Sequence, residues 1–178
     1  MNPSLIGEQV TLYPYVRSRA PRDMLYLLWL LIEAHGDWKK IFWGSQEPEA
    51  TLGDLPYFVM FVHDPDDWKL WFMIVDNLSL ALIGAVWFDK FQGNECEGGI
   101  WMAKGHRHKS REVVNLSTNE MFRQGYSQIN VTSPHTSVAN LVIKCGYEDI
   151  GQFENVRFFR KVNPNAKTEC AENQNIAC

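Results

Sequence analysis

Between Leu70 and Met102 the sequence leaves the chain few ways to fold. Three extended apolar runs, Leu70–Val75, Leu82–Phe88 and Glu95–Met102, follow one another, with turn-forming residues at Asp76–Ser79 and Gln92–Asn94 between them. Connections this short join antiparallel neighbours, because a parallel crossover needs a dozen or more residues. A three-stranded meander is therefore predicted. An earlier β-rich run, VTLYPYV over Val10–Val16, predicts a further strand, with Pro14 suited to an edge position or a bend.

Helical periods lie on either side of the meander. Asp23 is placed to cap a helix in which Leu25, Leu28, Trp29 and Ile32 share one face. A second short helix is predicted near Leu55–Val62, with Asp54 as its cap and Pro56 in its first turn. After the meander, a helix over Ser110–Phe122 stops near Gly125 and a strand follows over Gln128–Thr132. Val138, Leu141, Val142 and Cys145 then repeat at i, i+3, i+4, i+7, and Gly146 ends that helix. Tyr147–Phe153 and Val156–Val162 close the pattern as a hairpin. The predicted order, β-α-α-β-β-β-α-β-α-β-β, implies an α/β fold with a mixed sheet and helices on its faces. Residues 1–162 read as one domain, and the polar, aperiodic stretch 163–178 as a disordered tail.

Charge and composition exclude several classes. A net charge of −4 over 178 residues argues against a general nucleic-acid binder. The longest apolar run, Met24–Ile32, is about half the roughly 20 residues a bilayer requires, so no membrane span is predicted. The opening MNPSLIGEQV lacks the basic start and apolar core of a secretory leader. Cys96, Cys145, Cys170 and Cys178 form no CxxC pair, which fits reduced thiols and a cytoplasmic location. The His106-x-His108 pair has no further ligands at suitable spacing, so no metal site is predicted. GxSxG, Walker, HExxH and GxGxxG patterns are absent.

Three segments, taken with that order, carry a resemblance. GEQVTLYPY at the start, EGGIWM over Glu97–Met102, and SVANLVIKCGY over Ser137–Tyr147 resemble the first strand, the fourth strand and the late helix of the GNAT superfamily of N-acetyltransferases. The likeness is greatest to the branch that acetylates ribosomal-protein N-termini. It implies acetyl-CoA as co-substrate and direct attack by a primary amine on a protein terminus, peptide or small molecule. Homodimers are common among such proteins. One departure stands out. The family's phosphate-holding turn reads R/Q-x-x-G-x-G/A, whereas this chain has Arg107-His108-Lys109-Ser110-Arg111-Glu112, with both glycines replaced.

Unpaired amides at a helix N-terminus, not glycine as such, are what an anion requires. Ser110 is expected to cap that helix, and Arg107, Lys109 and Arg111 to pair with phosphates, with Gly105 lending flexibility. The ring of His108 would crowd a close phosphate approach. The resemblance further implies Glu97 as general base, with Glu95 on the same strand face as the fallback. It implies an oxyanion-binding amide near Met102–Ala103, where a bulge splays the strand. His135 stands where the family often has a cofactor-touching asparagine, and Val142 where it often has a tyrosine that reprotonates the thiolate. Ser133, His135 and Cys145 are the nearby polar substitutes, although Cys145 sits on the apolar stripe and reads as core. Trp29, Trp71, Trp87 and Trp101 read mostly as core, while Trp38 and Trp43 fall where such proteins wall the acceptor groove. The competing reading is the same fold without its chemistry, a binding or structural module such as some phage-encoded and virion-associated proteins that resemble GNATs. In that case the partner is a protein assembly.

Overall fold

The computed structural model of the chain describes residues 4–15, 22–34, 58–59, 62 and 70–166. Among these, eight strands form one sheet. They are β1 (Leu5–Ile6), β2 (Val10–Tyr15), β3 (Leu70–Asp76), β4 (Leu82–Gln92), β5 (Glu95–Met102), β6 (Gln128–Ser133), β7 (Glu148–Phe153) and β8 (Val156–Val162). The helices are α1 (Arg22–Glu33), α2 (Ser110–Arg123) and α3 (Thr136–Lys144), with a 3-10 turn over Lys104–Lys109 between β5 and α2. The spatial order is β1-β2-β3-β4-β5-β6-β8-β7. Every neighbouring pair is antiparallel except β5 with β6.

The meander forms where the sequence placed it, and its near-continuous apolar runs reflect burial on both faces. Successive residues of β3 enter different cores. Phe72 and Ile74 pack with Val113, Met121, Val142 and Phe159 under α2 and α3. Trp71 and Met73 pack with Leu25, Leu28 and Ile32 of α1 on the opposite face. The β4–β5 hairpin closes through Gly93 and Asn94, and Gly93 takes a left-handed φ of +60°.

Several expectations shift. The two-residue β1 was not foreseen. It pairs only with Thr11 and Leu12, so Pro14 lies on a stretch of β2 that β1 does not cover. There the missing N–H costs no ladder bond. The first helix begins at Arg22, which puts Asp23 inside it rather than at its cap. Of the second predicted helix only Phe58, Val59 and Val62 are described, all helical. Asp54 and Pro56 lie outside the described residues, as do Trp38, Trp43, Cys170 and Cys178. Asn163, assigned to the tail, is buried, and its side-chain amide donates to the carbonyls of Phe122 and Tyr126. No described helix is long and apolar enough to cross a membrane.

Candidate active site

The parallel seam between β5 and β6 sets the site. It pairs for only three residues, Glu95 with Gln128, Cys96 with Ile129 and Glu97 with Asn130, and then the two strands part. A cavity of about 380 Å³ occupies the gap. Gly98, Gly99 and Ile100 of β5 line one side, and Val131, Thr132 and Ser133 of β6 line the other. Val114, Ser117 and Thr118 of α2, with Val138 and Val142 of α3, line the helix side. Trp87 and Glu154 also border the cavity.

Gly99 makes room for the tryptophan. A Cβ at Gly99 would sit 2.3 Å from the Trp87 indole, which also stacks on Trp71 with ring centroids 5.0 Å apart.

Strand parity decides which amides of β5 face the gap. The Ala103 amide donates to the Ile83 carbonyl at 2.9 Å, and the β4–β5 register runs unbroken from Gly84/Met102 to Asp89/Glu97. Hydrogen-bonded pairs alternate with open ones in an antiparallel ladder. By that alternation Gly98, Ile100 and Met102 turn their amides away from β4, toward the β6 side. Two expectations change as a result. The bulge near Met102–Ala103 is not there, and the Ala103 amide is committed to β4. Of the three gap-facing residues, Gly98 and Ile100 line the cavity, with Gly98 directly beside the last seam pair and Ile100 beyond it, whereas Met102 does not.

Glu97 occupies the last seam pair before the strands part. Its carboxylate accepts from the Thr132 hydroxyl at 2.5 Å and from the Lys90 ammonium at 2.8 Å, and its side chain is 22% exposed. Thr132 is itself a cavity residue, so this bond ties Glu97 to the cavity wall. Glu95 faces the same way but accepts from Gln128 at 2.9 Å, beside the paired part of the seam.

The helix side of the cavity is built around Tyr147, whose role sequence reasoning missed. Its hydroxyl pairs with that of Thr118 at 2.8 Å, and burial holds its ionisation well above the usual phenol range. The Lys161 ammonium lies 5.6 Å from the Tyr147 ring and donates to the Cys145 carbonyl at the end of α3. Val142 is buried, as is Cys145, whose thiol burial pushes up. In β5, burial pushes the Cys96 thiol up to about 12. Neither thiol is poised as a nucleophile. His135 borders the cavity at the N-cap of α3, its amide donating to the Ser133 hydroxyl at 3.0 Å.

The turn after β5 departs most from expectation. His106 donates its amide to the Ala103 carbonyl, and the Ser110 amide donates to Arg107. The Ser110 hydroxyl also goes to the Arg107 carbonyl, at 2.6 Å, so it does not cap α2. The reason is local. The 3-10 turn runs straight into α2, and Lys109 at the N-cap position already has helical dihedrals of −86° and −7°. Lys109 is also not presented to a ligand. Its ammonium is buried against Asp76 at 2.7 Å, which holds the Asp76 carboxyl down at about 2. His106 Nδ1 approaches the same carboxylate at 3.4 Å. Arg107, His108 and Arg111 remain exposed. Among the described residues, no group of three or more His, Cys, Asp or Glu is placed to hold a metal ion.

No protein-family model matches the sequence, and no curated protein sequence matches it. Solved structures do match. A probable GNAT-family acetyltransferase from Chromobacterium violaceum superposes with a TM-score of 0.70 at 17% identity, covering 92% of this chain and 88% of that one. The ribosomal-protein-S5-alanine acetyltransferase of Vibrio fischeri gives 0.63 at 16%, covering 92% and 98%. A spermidine N-acetyltransferase from Vibrio cholerae, in complex with CoA and spermine, gives 0.64 at 18%, covering 87% and 96%. The chain therefore has the GNAT acetyltransferase fold.

Proposed function

We propose that the chain is an N-acetyltransferase that takes its acetyl group from acetyl-CoA and passes it to a primary amine. The observation that carries this reading is the β5–β6 seam. It opens directly after Glu97 into a cavity faced by unpaired-side strand amides, on the fold of acetyltransferases. The cavity suits the narrow, largely apolar pantetheine arm, and the phosphate end would meet the start of α2, where the His106 and Ser110 amides of the preceding turn are already committed.

In this reading Glu97 removes a proton from the acceptor ammonium, whose reference pKa of about 8 to 10 otherwise leaves little free amine at neutral pH. The nitrogen attacks the thioester carbonyl. The Ile100 amide, with that of Met102 beyond it, faces the gap where negative charge develops on the carbonyl oxygen. The carbon–sulfur bond breaks, and the thiolate takes up a proton as it leaves. Tyr147 and Thr118 provide hydroxyls on that side. A homodimer is compatible with the exposed edge strand β7.

The test is acetyl transfer from acetyl-CoA to a panel of peptide N-termini and polyamines, with Glu97→Gln as control. The expected result is turnover of at least one amine, reduced about 100-fold or more in the variant. Tight acetyl-CoA binding with no transfer to any amine would favour the non-catalytic module instead, for which the closed turn is the supporting observation.

A further inference from the structure

The end of β4 is irregular beside Glu97. Asp89 opposes Glu97 and Gln92 opposes Glu95, so Lys90 and Phe91 together face the single residue Cys96 of β5. That is a β-bulge, with one extra residue on β4. Phe88 and Phe91 both pack into the core under α2 and α3, and the Phe91 ring centroid lies 5.4 Å from that of Tyr126. Residues three apart in a regular strand point to opposite faces, so the bulge is what lets both rings reach one core. Lys90 bears the distortion, with a left-handed φ of +49°. Glycine takes that conformation readily, whereas the Cβ of a lysine opposes it. Backbone held in this way clusters at functional sites.

The side chain that the bulge presents is a primary amine, and it points at Glu97. Cys96 and Gly98 flank Glu97 and contact the α2–α3 core, so Glu97 projects from the other face of β5. There the Lys90 ammonium donates to Glu97 Oε2 at 2.8 Å, while Glu97 Oε1 accepts from the Thr132 hydroxyl on the cavity wall. Amine, carboxylate and cavity wall stand in one hydrogen-bonded line. Stability does not account for the arrangement, because the Lys90 side chain is 62% exposed and exposed ion pairs contribute little. The same exposure leaves its flexible stem free to swing toward the cavity. Lys90 thus holds the relation to Glu97 that the reaction above asks of an external acceptor, an ammonium within hydrogen-bond reach of the base.

We propose that Lys90 is an acceptor within the chain itself, and that the protein acetylates this lysine from the acetyl-CoA bound in its own cavity. The inference rests on the acetyl-transfer reading above. The Lys90 ammonium gives one proton to Glu97, and its nitrogen forms a bond to the thioester carbonyl carbon. The carbon–sulfur bond breaks, CoA leaves as the thiolate, and the second proton lost from nitrogen converts the thiolate to the thiol. Glu97 returns its proton to solvent. The product amide is neutral, so the ion pair to Glu97 is lost with the reaction.

Mass spectrometry of the full chain tests this. The protein is incubated with acetyl-CoA, digested, and the acetylated fraction followed at Lys90 and at the exposed Lys104 and Lys144, which report uncatalysed acetylation. Lys90 is expected to react at least about tenfold faster than either, because its amine is already held at the base. The rate constant should not change when the protein is diluted. Glu97→Gln, checked for folding by circular dichroism, is expected to slow Lys90 about tenfold or more. Lys90→Arg keeps a cation beside Glu97 and should abolish acetylation of that peptide without raising it at Lys104 or Lys144. Acetylation of Lys90 no faster than at those two lysines, or unaffected by Glu97→Gln, would overturn the proposal. A rate that rises with protein concentration would overturn the intramolecular step. Transfer to added amines with Lys90 unmodified sinks this inference alone, whereas absence of acetyl-CoA binding removes the acetyl-transfer reading and this inference together.

Discussion

The seam between β5 and β6 and the turn after β5 are adjacent in the chain, but they are built on opposite principles. At the seam, backbone geometry is left open. Pairing stops at Glu97 and Asn130, and strand parity turns the Ile100 amide into a cavity. In the turn, backbone geometry is closed. Amides and the Ser110 hydroxyl bond within the turn, and a buried ion pair clamps Lys109 to Asp76. The comparison teaches that a fold can keep a diverging pair of strands while the turn beside them is closed by local bonds. Divergence is enforced by the whole sheet, but a turn can be changed by a few residues.

The largest expected effect comes from filling the seam. Val138 is half-buried on the cavity wall. Val138→Phe places a ring in the space the pantetheine arm needs, and acetyl-CoA affinity is expected to fall about 100-fold or more while the fold, read by circular dichroism, is kept. Retained binding would mean that the cavity is not the donor site. A smaller effect is expected at the helix side of the seam. Tyr147→Phe removes a buried hydroxyl and leaves Thr118 without its partner, which is expected to cost about 1 to 2 kcal/mol in denaturant unfolding. Donor affinity should change less than in Val138→Phe.

The turn is probed by acid. The folded Asp76 carboxyl ionises at about 2, below the roughly 3.9 of an unfolded aspartate. A depressed folded value means that the ion pair stabilises fully above the unfolded pKa and is lost as pH falls through the folded one. The stability difference between wild type and Asp76→Asn should therefore be constant near neutrality and shrink between about pH 4 and 2. A difference that does not vary over that range would show that the carboxylate is not what clamps the turn.

Much of the fold was legible because it is local. The meander announced itself through apolar runs and short turns, and α3 through its four-residue stripe closed by Gly146, which takes a left-handed φ of +82°. In the candidate site, the strand pattern put Glu97 on β5, where it forms the last pair of the seam before the strands part. What escaped the sequence depends on distant partners. Nothing near Lys109 signals that Asp76 will take it inward, and Ser110 reads as a cap until the preceding turn proves helical. Of the Met102–Ala103 pair, only the Met102 amide faces the gap and that of Ala103 bonds Ile83, because which residues of a strand bond to their neighbour is set by register, not by side chains. Tyr147 looked like the end of a helix motif, and only the packing of α2 against α3 brings Thr118 to its hydroxyl.

The central claim is that the open seam is a donor site, and titration of the wild-type protein with acetyl-CoA tests it most directly. The account expects saturable binding in the micromolar range that is lost in Val138→Phe. Absence of binding at millimolar acetyl-CoA, in protein shown to be folded, would contradict it.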